Sequence, residues 1–517
     1  MRDRAIIVGF SAIVVGLFYE FFLKDILFIA IGVGRIIQPI EDFPYSCHKI
    51  YGSENILQSC EDLWLDDEGR TLYGACVDLK SRHQWSPGGD KFNVSGRTPN
   101  GRFVALNIDS PGLDGNYGAS RLQISGDYAG PGGSHAIDPN GFDVEILPNN
   151  RLRFWMTNLR PPVDVISGKF VDATNIGANA TVESFELVRG ENTLKWTGTF
   201  GANDGVVHSA NKVAADLNGG FVVSNDHSAS IGLRRSLDLF LGGGSVAHCT
   251  GSNDCKIAVD GLSFPNGLVR GLDGLFYVPS SVTGRVGVFS LSTTGLTKID
   301  EIEVGMPIDN LSVDANGDIF AAAFPDSLKL MKVVKYATDS ILPSTVWQIR
   351  KEVGEREESG KRKASGTGNY RVWKVLEDRE GKVMPSGTTI AVHDAKTGRI
   401  FLGAVLGGHL TVWLPTADDE TASVNEEGAV NPPGAVPVPP DQPAAADVKP
   451  APIPFNIQVD ALLEEIAYIR KVIQEIDQGF RAREYQTVTR PLSQLTTRYI
   501  ITLSAPIGIF ILPIALG

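Results

Sequence analysis

The pattern of apolar and polar positions between about residue 60 and residue 415 repeats one short unit. Each unit begins with a turn that contains Gly or Asn, where a positive φ is tolerated, and a run of alternating or continuous apolar residues follows the turn. Such runs are typical of half-buried or fully buried strands. The six units are DEGRTLYGAC (67–76), PNNRLRFWMT (148–157), LNGGFVVSND (217–226), LDGLFYVPSS (272–281), ANGDIFAAAF (315–324) and KTGRIFLGAV (396–405).

Repeated β-units with no helical period between them predict an all-β fold, namely a β-propeller, in which radial stacking buries the faces of small sheets. Six units predict a six-bladed β-propeller, expected over residues 41–415. The alternative is a β-sandwich with many hairpins. In a propeller the innermost strands converge on the axis, so residues far apart in sequence can meet there.

Apolar segments at the two ends of the chain predict membrane attachment. Residues 1–40 contain the apolar run 5–18, which lacks an adjacent small-residue cleavage site and favours an uncleaved signal anchor over a cleaved signal peptide. Residues 499–517 form an apolar tail, for which a membrane-embedded tail is favoured over a GPI-attachment signal. The propeller is therefore expected in the endoplasmic reticulum lumen, in the secretory pathway or outside the cell.

Two further segments separate the propeller from the apolar tail. Residues 416–455 are rich in Pro, Ala and acidic residues and predict a mobile linker. Residues 456–485 predict an amphipathic helix, which either associates with a second copy through residues 460–480 or docks on the propeller. Its apolar positions recur at 4-3-4-3-4 spacing: Leu462, Ile466, Ile469, Ile473, Ile476 and Phe480.

Composition and charge narrow the classes of partner and compartment. A net charge of −13 argues against a nucleic-acid partner and suits a bound cation. The five cysteines lack the C-x-x-C spacing of structural zinc and favour an oxidising compartment. Cys249 and Cys255 are the predicted disulfide, because the short loop between them can bring them together. Asn93 and Asn179 begin glycosylation acceptors that could be used in such a compartment.

Side chains that carry oxygen atoms recur at comparable points just before the turn units, where innermost strands are expected to begin. Two carboxylates and three amides suit a hard cation such as Ca²⁺, whereas zinc would ask for His or Cys. Asn310 also begins the acceptor Asn-Leu-Ser, and a glycan there would have to fit inside the channel, so Asn310 is expected to be unglycosylated. The predicted metal ligands are Glu61, Asn211, Asn266, Asp309 and Asn310.

Short motifs across roughly residues 45–415 resemble the serum paraoxonase/arylesterase family, in the family's order. The resemblance implies a six-bladed propeller with a catalytic calcium that hydrolyses lactones and some aryl esters. The family's calcium ligands fall on the same five residues. The motifs are SCEDLWLDDEGRTLYGA (59–75), DPNGFDVEIL (138–147), NKVAADLNGGFVVSNDH (211–227), FPNG (264–267), IDNLSVDANGDIFAAAFP (308–325), PSGTTIAVHD (385–394) and RIFLGAVLGG (399–408).

Three departures from the family pattern concern the chemistry and the metal content. Asn140 and Leu159 stand where the family has the two histidines of its proposed general-base pair. Of the two aspartates that hold the family's second, structural calcium, Asp62 is kept and Lys212 replaces the other. The lysine ammonium can replace the charge of that ion, so one calcium is expected rather than two.

The resemblance also bears on the remaining cysteines. The family has a disulfide cysteine near the end of the propeller, about where this chain has Val412. The resemblance then leaves Cys47 to pair with Cys60 or Cys76, if it pairs at all.

These observations predict a membrane-anchored, calcium-dependent hydrolase of small apolar lactones or esters, in which the metal polarises the carbonyl. The residues expected to activate water are Asp309, Glu61 or His135. The alternative is a calcium-binding propeller that lost its base and serves as a membrane-anchored binding or scaffold protein. A third possibility resembles strictosidine synthase-like propellers, with a catalytic glutamate and no need for metal. Residues 226–244 are expected to supply pocket walls.

Overall fold

The computed structural model describes residues 16–17, 19–20, 24–130, 135–164, 166–202, 205–336, 341–352 and 370–416. Within them, six sheets form the blades of a propeller, and neighbouring strands are antiparallel except where the first and last strands of blade 2 pair in parallel. The first strand, β1 (Tyr45–Ile50), belongs to the last blade.

The remaining strands follow in blade order. Blade 1 contains β2 (Cys60–Asp66), β3 (Thr71–Cys76), β6 (Arg102–Asn107) and β7 (Ser120–Arg121), with the hairpin β4 (Trp85–Ser86) and β5 (Lys91–Phe92) inserted. Blade 2 contains β8 (Gln123–Ser125), β9 (Pro139–Leu147), β10 (Arg151–Arg160), β11 (Asn179–Val188) and β12 (Thr193–Phe200). Blade 3 contains β13 (Ala210–Ala215), β14 (Phe221–Asn225), β15 (Gly244–Gly251) and β16 (Asp254–Leu262).

The second half of the ring repeats the same arrangement. Blade 4 contains β17 (Val269–Arg270), β18 (Phe276–Pro279), β19 (Arg285–Ser292) and β20 (Gly295–Glu303). Blade 5 contains β21 (Ile308–Val313), β22 (Ile319–Ala323), β23 (Ser344–Lys351) and β24 (Tyr370–Asp378). Blade 6 contains β25 (Thr388–Asp394), β26 (Arg399–Ala404) and β27 (Leu410–Pro415), together with β1.

Among the described residues, helices lie before β1 and in the connections between strands. The α-helices are α1 (Leu79–Arg82), α2 (Leu233–Leu241) and α3 (Ser327–Tyr336). A π-helix spans Asp25–Ala30, and 3-10 turns span Ile40–Asp42, Ser53–Asn55, Pro87–Gly89, Val94–Gly96 and Ala173–Asn175.

The ring is closed by the earliest strand of the chain. β1 lies antiparallel to β27, with Tyr45 opposite Pro415 and Ile50 opposite Leu410. Closure of this kind leaves short edges at the rim instead of one long open edge. Apolar clusters fill the space between each pair of neighbouring blades, so the core is a ring of six contacts between sheets.

The six turn units of the sequence occupy one position in the fold. Each is the turn from the innermost strand of a blade to the second strand, followed by that second strand itself. The predicted six-bladed all-β propeller is therefore confirmed, and the sandwich alternative is wrong.

The entry of an innermost strand is irregular in several blades. The pairing register shifts between Cys60 and Asp62 in blade 1, between Ala210 and Val213 in blade 3, and between Ile308 and Leu311 in blade 5. Bulges of this kind re-aim side chains, and they are frequent next to functional sites. Each of these shifts encloses at least one predicted metal ligand.

Predictions for the chain ends are only partly testable. Among the described residues, no helix is long and apolar enough to cross a membrane. The apolar run 5–18 and the predicted linker, amphipathic helix and apolar tail within 416–517 fall almost entirely outside the described residues.

Two disulfides are present among the described residues, and one of them was predicted. Cys249–Cys255 is a disulfide, as predicted. Cys60 is bonded to Cys76, a pair that the sequence did not predict, and Cys47 is free, so neither pairing that the resemblance left open to Cys47 forms. The reason is register, since Cys60 and Cys76 lie directly opposite each other on β2 and β3.

Candidate metal centre and substrate cavity

The five predicted metal ligands lie at the entries of four innermost strands and are all buried. Glu61 is the second residue of β2 and Asn211 the second of β13. Asp309 and Asn310 are the second and third residues of β21, and Asn266 precedes β17. Because innermost strands converge on the axis, these side chains come from four blades to one end of the channel.

Contacts across the axis show how closely the innermost strands approach. The Asn310 side-chain amide of blade 5 donates to the backbone carbonyl of Glu61 in blade 1 at 3.1 Å. In blade 6, the Thr389 hydroxyl donates to the same carbonyl at 2.9 Å. Gly267 of blade 4 forms a β-bridge with Asn310. An added Cβ at Gly267 would lie 1.8 Å from Oδ1 of Asn310, so only glycine allows this approach.

Four of the five residues carry a buried side-chain oxygen with no hydrogen-bond partner in the described part of the chain. These atoms are Glu61 Oε2, Asn211 Oδ1, Asn266 Oδ1 and Asn310 Oδ1. The amide nitrogens of two of them are used, since Asn266 Nδ2 donates to Ser281 Oγ at 2.9 Å and Asn310 Nδ2 donates to Glu61. Unpartnered buried acceptors are rare in folded proteins. Acceptors without donors are the environment that a bound cation satisfies.

Burial raises the pKa values of both carboxyl groups in the cluster, those of Glu61 and Asp309. Burial raises the pKa of Glu61 to about 7, against the opposing charge of Arg82. Burial, followed by the negative charge of Glu61, raises the pKa of Asp309 well above its usual range. A cation between the carboxylates would favour their charged forms and would lower both pKa values.

The donor set identifies the kind of metal that fits. Within the described ranges, no group of three or more His, Cys, Asp and Glu side chains is placed to hold a metal. The axial cluster is instead made of two carboxylates and three amides, all of them oxygen donors. Calcium suits that set and zinc does not, so the residues fit the cation that the sequence predicts.

An ion pair occupies the axis next to the cluster. Lys212 Nζ lies 2.8 Å from Asp62 Oδ1 and donates to the carbonyl of Leu311 at 2.9 Å, with both charged side chains buried. Asp62 also accepts hydrogen bonds from the backbone amides of Phe142 and Leu63. The ammonium group thus lies between strands of blades 1, 3 and 5.

A cavity adjoins the metal ligands at blades 2 and 3. It has a volume of about 300 Å³, counted with its solvent-open space, and Asn140, Leu159, Ser209 and Asp226 are among its lining residues. Asn140 Nδ2 donates to the backbone carbonyl of Asn211 at 3.1 Å, which connects the cavity to the metal ligands. Both positions at which the chain departs from the family's histidine pair therefore line one cavity.

A histidine–aspartate pair that the sequence reasoning missed includes Asp226, which lines this cavity, and the adjacent His227. His227 Nδ1 is 2.6 Å from Oδ1 of Asp226, which also accepts from the Ser209 hydroxyl. The other ring nitrogen of His227, Nε2, has no hydrogen-bond partner among the described residues. The ring packs edge-on against Phe264 at 4.7 Å, two residues before Asn266. The available signal was an Asp-His dipeptide directly after a buried strand.

His135, the loop histidine named as a possible base, is exposed, whereas the metal ligands are buried. No contact with those ligands is present in the described structure. Its assignment as a base stays a prediction.

Two inserted segments cover the cavity. Arg235 of α2 donates through Nε to Asp90 at 2.8 Å and through Nη2 to the carbonyl of Pro87 at 2.9 Å, which joins the insertion after β14 to the β4–β5 hairpin. Arg235 and Pro87 both line the cavity. Residues 226–244 thus supply part of its wall, as expected from the sequence.

The fold and the site together define a class: a six-bladed propeller with buried, unpartnered oxygens at one end of its axis, beside a cavity. Within that class, residues 170–361 match the model of the Arylesterase family. The match confirms the resemblance read from the motifs and includes Asn211, Asn266, Asp309 and Asn310. Glu61 lies outside it.

Comparisons with whole proteins give less information about this chain than the family model does. No curated protein matches the chain. A putative gluconolactonase has 13% identity and a TM-score of 0.36, covering 73% of this chain and 96% of its own. A luciferin-regenerating enzyme has 11% identity and a TM-score of 0.39, covering 72% and 95%. A gluconolactonase from Xanthomonas campestris has 14% identity and a TM-score of 0.34, covering 74% and 98%. Scores this low carry no argument about substrate or mechanism.

Proposed function

We propose that the protein is a calcium-dependent hydrolase of lactones or carboxylic esters. The observation that carries the proposal is the set of four unpartnered, buried oxygens at the axis, beside a cavity, in a chain that matches the arylesterase family. Glu61, Asn211, Asn266, Asp309 and Asn310 would hold the ion. Calcium bound there would polarise the substrate carbonyl and stabilise the negative charge that develops on its oxygen.

The proton of the attacking water needs an acceptor on this chain. His227 suits this role because Asp226 at 2.6 Å orients Nδ1 as the donor and leaves Nε2 free to accept. The water oxygen bonds to the acyl carbon, the bond between the acyl carbon and the ester oxygen breaks, and the ester oxygen takes up the proton. A lactone gives a hydroxy acid, and an ester gives a carboxylic acid and an alcohol. Glu61, Asp309 and His135 are the other candidates for the acceptor.

The replacement of the family's histidine pair by Asn140 and Leu159 favours one rival function. In that case the propeller would hold calcium without turnover, as a membrane-anchored binding or scaffold protein. The membrane attachment and the secretory or extracellular location belong to the proposal in either case. The two disulfides suit an oxidising compartment.

The test uses the full-length protein with a panel of aliphatic lactones and aryl esters. Hydrolysis should require calcium, should disappear with a chelator and return on adding calcium, and should be lost in Asp309→Ala. The exposed Asp254→Ala serves as the control and should behave as wild type. Calcium binding measured by calorimetry without turnover of any lactone or ester would leave the binding-protein alternative and overturn the hydrolase.

A second pair of variants separates the possible proton acceptors. His227→Gln should lower kcat by about 100-fold or more, the usual scale for a general base, while calcium affinity stays unchanged. Full activity in His227→Gln would assign the role to Glu61, Asp309 or His135.

A further inference from the structure

Arg82 is a buried cation whose hydrogen bonds are incompletely made. It is the last residue of α1, in the insertion between β3 and β6, and is 4% exposed. The one hydrogen bond of its guanidinium group among the described residues runs from Nη2 to the carbonyl of Pro139 at 3.3 Å, and Nε is buried without a partner. Leaving a guanidinium donor unpartnered in the interior is unfavourable, so the site is built for a group that accepts from it.

No carboxylate among the described residues forms a close ion pair with Arg82. Its nearest opposite charges are Glu61, an axial metal ligand, and Asp138. Asp138 is already held by Arg97, through Nε at 2.5 Å and Nη2 at 2.8 Å. No ion pair within 4.0 Å links Arg82 to either of them.

Positive charge exceeds negative charge around Asp138. Arg97, Arg82 and Arg160 all favour its charged form. Arg160 is itself only 3.8 Å from Glu183, and its Nε is also buried without a partner. Three guanidinium groups therefore face Asp138 and Glu183, and the third nearby carboxylate, Glu61, is one that would hold the cation. One negative charge from outside the chain would then balance the three guanidinium groups.

Arg82 lines a cavity next to the one that contains Asn140. This second cavity has a volume of about 290 Å³, counted with its solvent-open space, and Arg82, Thr98 and Asp138 are part of its wall. Leu159 and Pro87 line both cavities. The two cavities therefore share a wall, and a ligand that bridges them would place one group near Asn140 and another near Arg82.

We infer that Arg82 is a specificity-determining residue that binds a carboxylate on the substrate, so that the preferred substrates are lactones or esters that carry a free carboxylate. The inference rests on the proposed hydrolase function. A carboxylate satisfies both needs of the site, because it accepts from the guanidinium and supplies the missing negative charge. A neutral carbonyl would accept one hydrogen bond and leave the charge unbalanced.

The inference changes the expected substrate. A purely apolar lactone leaves Arg82 desolvated and without an acceptor, which is an unfavourable bound state. The substrate is instead expected to have an acidic group at one end and an apolar body, which can pack against Leu159 and Pro87.

The first experiment compares two substrates on the calcium-loaded, full-length protein: γ-butyrolactone that carries a ring carboxylate, and the matching carboxamide. Wild type should prefer the carboxylate in kcat/KM by about 10- to 100-fold, the range expected for charge-assisted hydrogen bonds. Arg82→Met should lose that preference through a raised KM for the carboxylate. The readout is the ratio of kcat/KM for the two substrates, because loss of the Arg82 charge beside Glu61 affects both substrates alike. Arg82→Lys keeps the positive charge but lacks the planar guanidinium group, so it should regain part of the preference for the carboxylate.

Arg102→Met is the matched control for loss of a buried arginine. Arg102 is as buried as Arg82, but its donors are satisfied by Asp78 and by the carbonyls of Ile56 and Asn100. Its loss should change stability and leave the preference for the carboxylate intact. Equal loss of preference in both variants would show a general structural effect and would overturn the inference.

A binding measurement separates failure of this inference from failure of the proposed function. Cyclopentanecarboxylate and its carboxamide are titrated into wild type and Arg82→Met by calorimetry. Binding of the carboxylate that Arg82→Met abolishes, with no turnover of any lactone, would keep the carboxylate site and refute the hydrolase. Lactone turnover with no preference for the carboxylate, and no effect of Arg82→Met, would refute the carboxylate site alone.

Discussion

The buried ion pair of Lys212 and Asp62 leads to the sharpest prediction about stability. Lys212→Met keeps much of the side-chain volume but leaves Asp62 as a buried carboxylate held only by two backbone amides, and leaves the carbonyl of Leu311 without its donor. Removing one partner of a buried ion pair typically costs about 3–5 kcal/mol. Since domains are stable by only about 5–15 kcal/mol, the loss should be large.

Urea unfolding of the full-length protein, followed by tryptophan fluorescence, measures the effect. The matched control is Lys256→Met, which breaks a pair with Asp254 whose side chains are 82% and 55% exposed, and its unfolding midpoint should stay at the wild-type value. A loss below about 1 kcal/mol in Lys212→Met would refute the reasoning, because the interior would then accommodate the unpaired carboxylate at little cost.

A companion variant, Lys212→Asp, restores the residue type of the family's second calcium site. It should bind two calcium ions per chain where wild type binds one.

Three further predictions concern the ring. Gly267→Ala should weaken calcium binding and lower the unfolding midpoint, because its Cβ would lie 1.8 Å from Oδ1 of Asn310, whereas Gly408→Ala, with open space around it, should do neither. Burial lowers the pKa of His409 to about 4, whereas its unfolded value is near 6.5. The free energy of unfolding is therefore highest above pH 6.5 and decreases as the pH falls toward 4, because the unfolded chain binds the proton first. His409→Asn should lose less stability than wild type between pH 7 and pH 4.5 in urea titrations. Glycan mapping should find no sugar on Asn310, which is 1% exposed, while the exposed Asn93 is free to carry one.

The fold was predictable because its defining signals are local. Each turn unit places a Gly or Asn where the chain reverses between the first two strands of a blade, and the strand that follows carries its own apolar pattern. Asp309 and Asn310 were predictable for the same reason, since they precede such a unit at the point where an innermost strand begins. Because the turn unit recurs at the same point of every blade, the position of a residue relative to the unit indicates its position in the fold.

The residues that were missed lie where the repeat is interrupted. Arg82 belongs to an insertion between β3 and β6, and His227 follows β14 at the start of another insertion. Insertions with helices occupy the connection from the second to the third strand in blades 1, 3 and 5, but they differ in length and sequence, so no repeat indicates which way their side chains point. The bond between Cys60 and Cys76 was missed because it depends on the register of β2 and β3, which short-range patterns do not specify.

The pairing of β1 with β27 sets an order of events during synthesis. Tyr45 leaves the ribosome about 370 residues before its partner Pro415, so the last blade can form only when the propeller has been made almost completely. Contacts this distant in sequence are slow to form and expose apolar sheet faces while they are incomplete. A chain truncated before β27 would keep Glu61 but could not close the ring around it. Nascent chains stalled before residue 410 are therefore expected to be captured by chaperones and degraded, without detectable calcium binding.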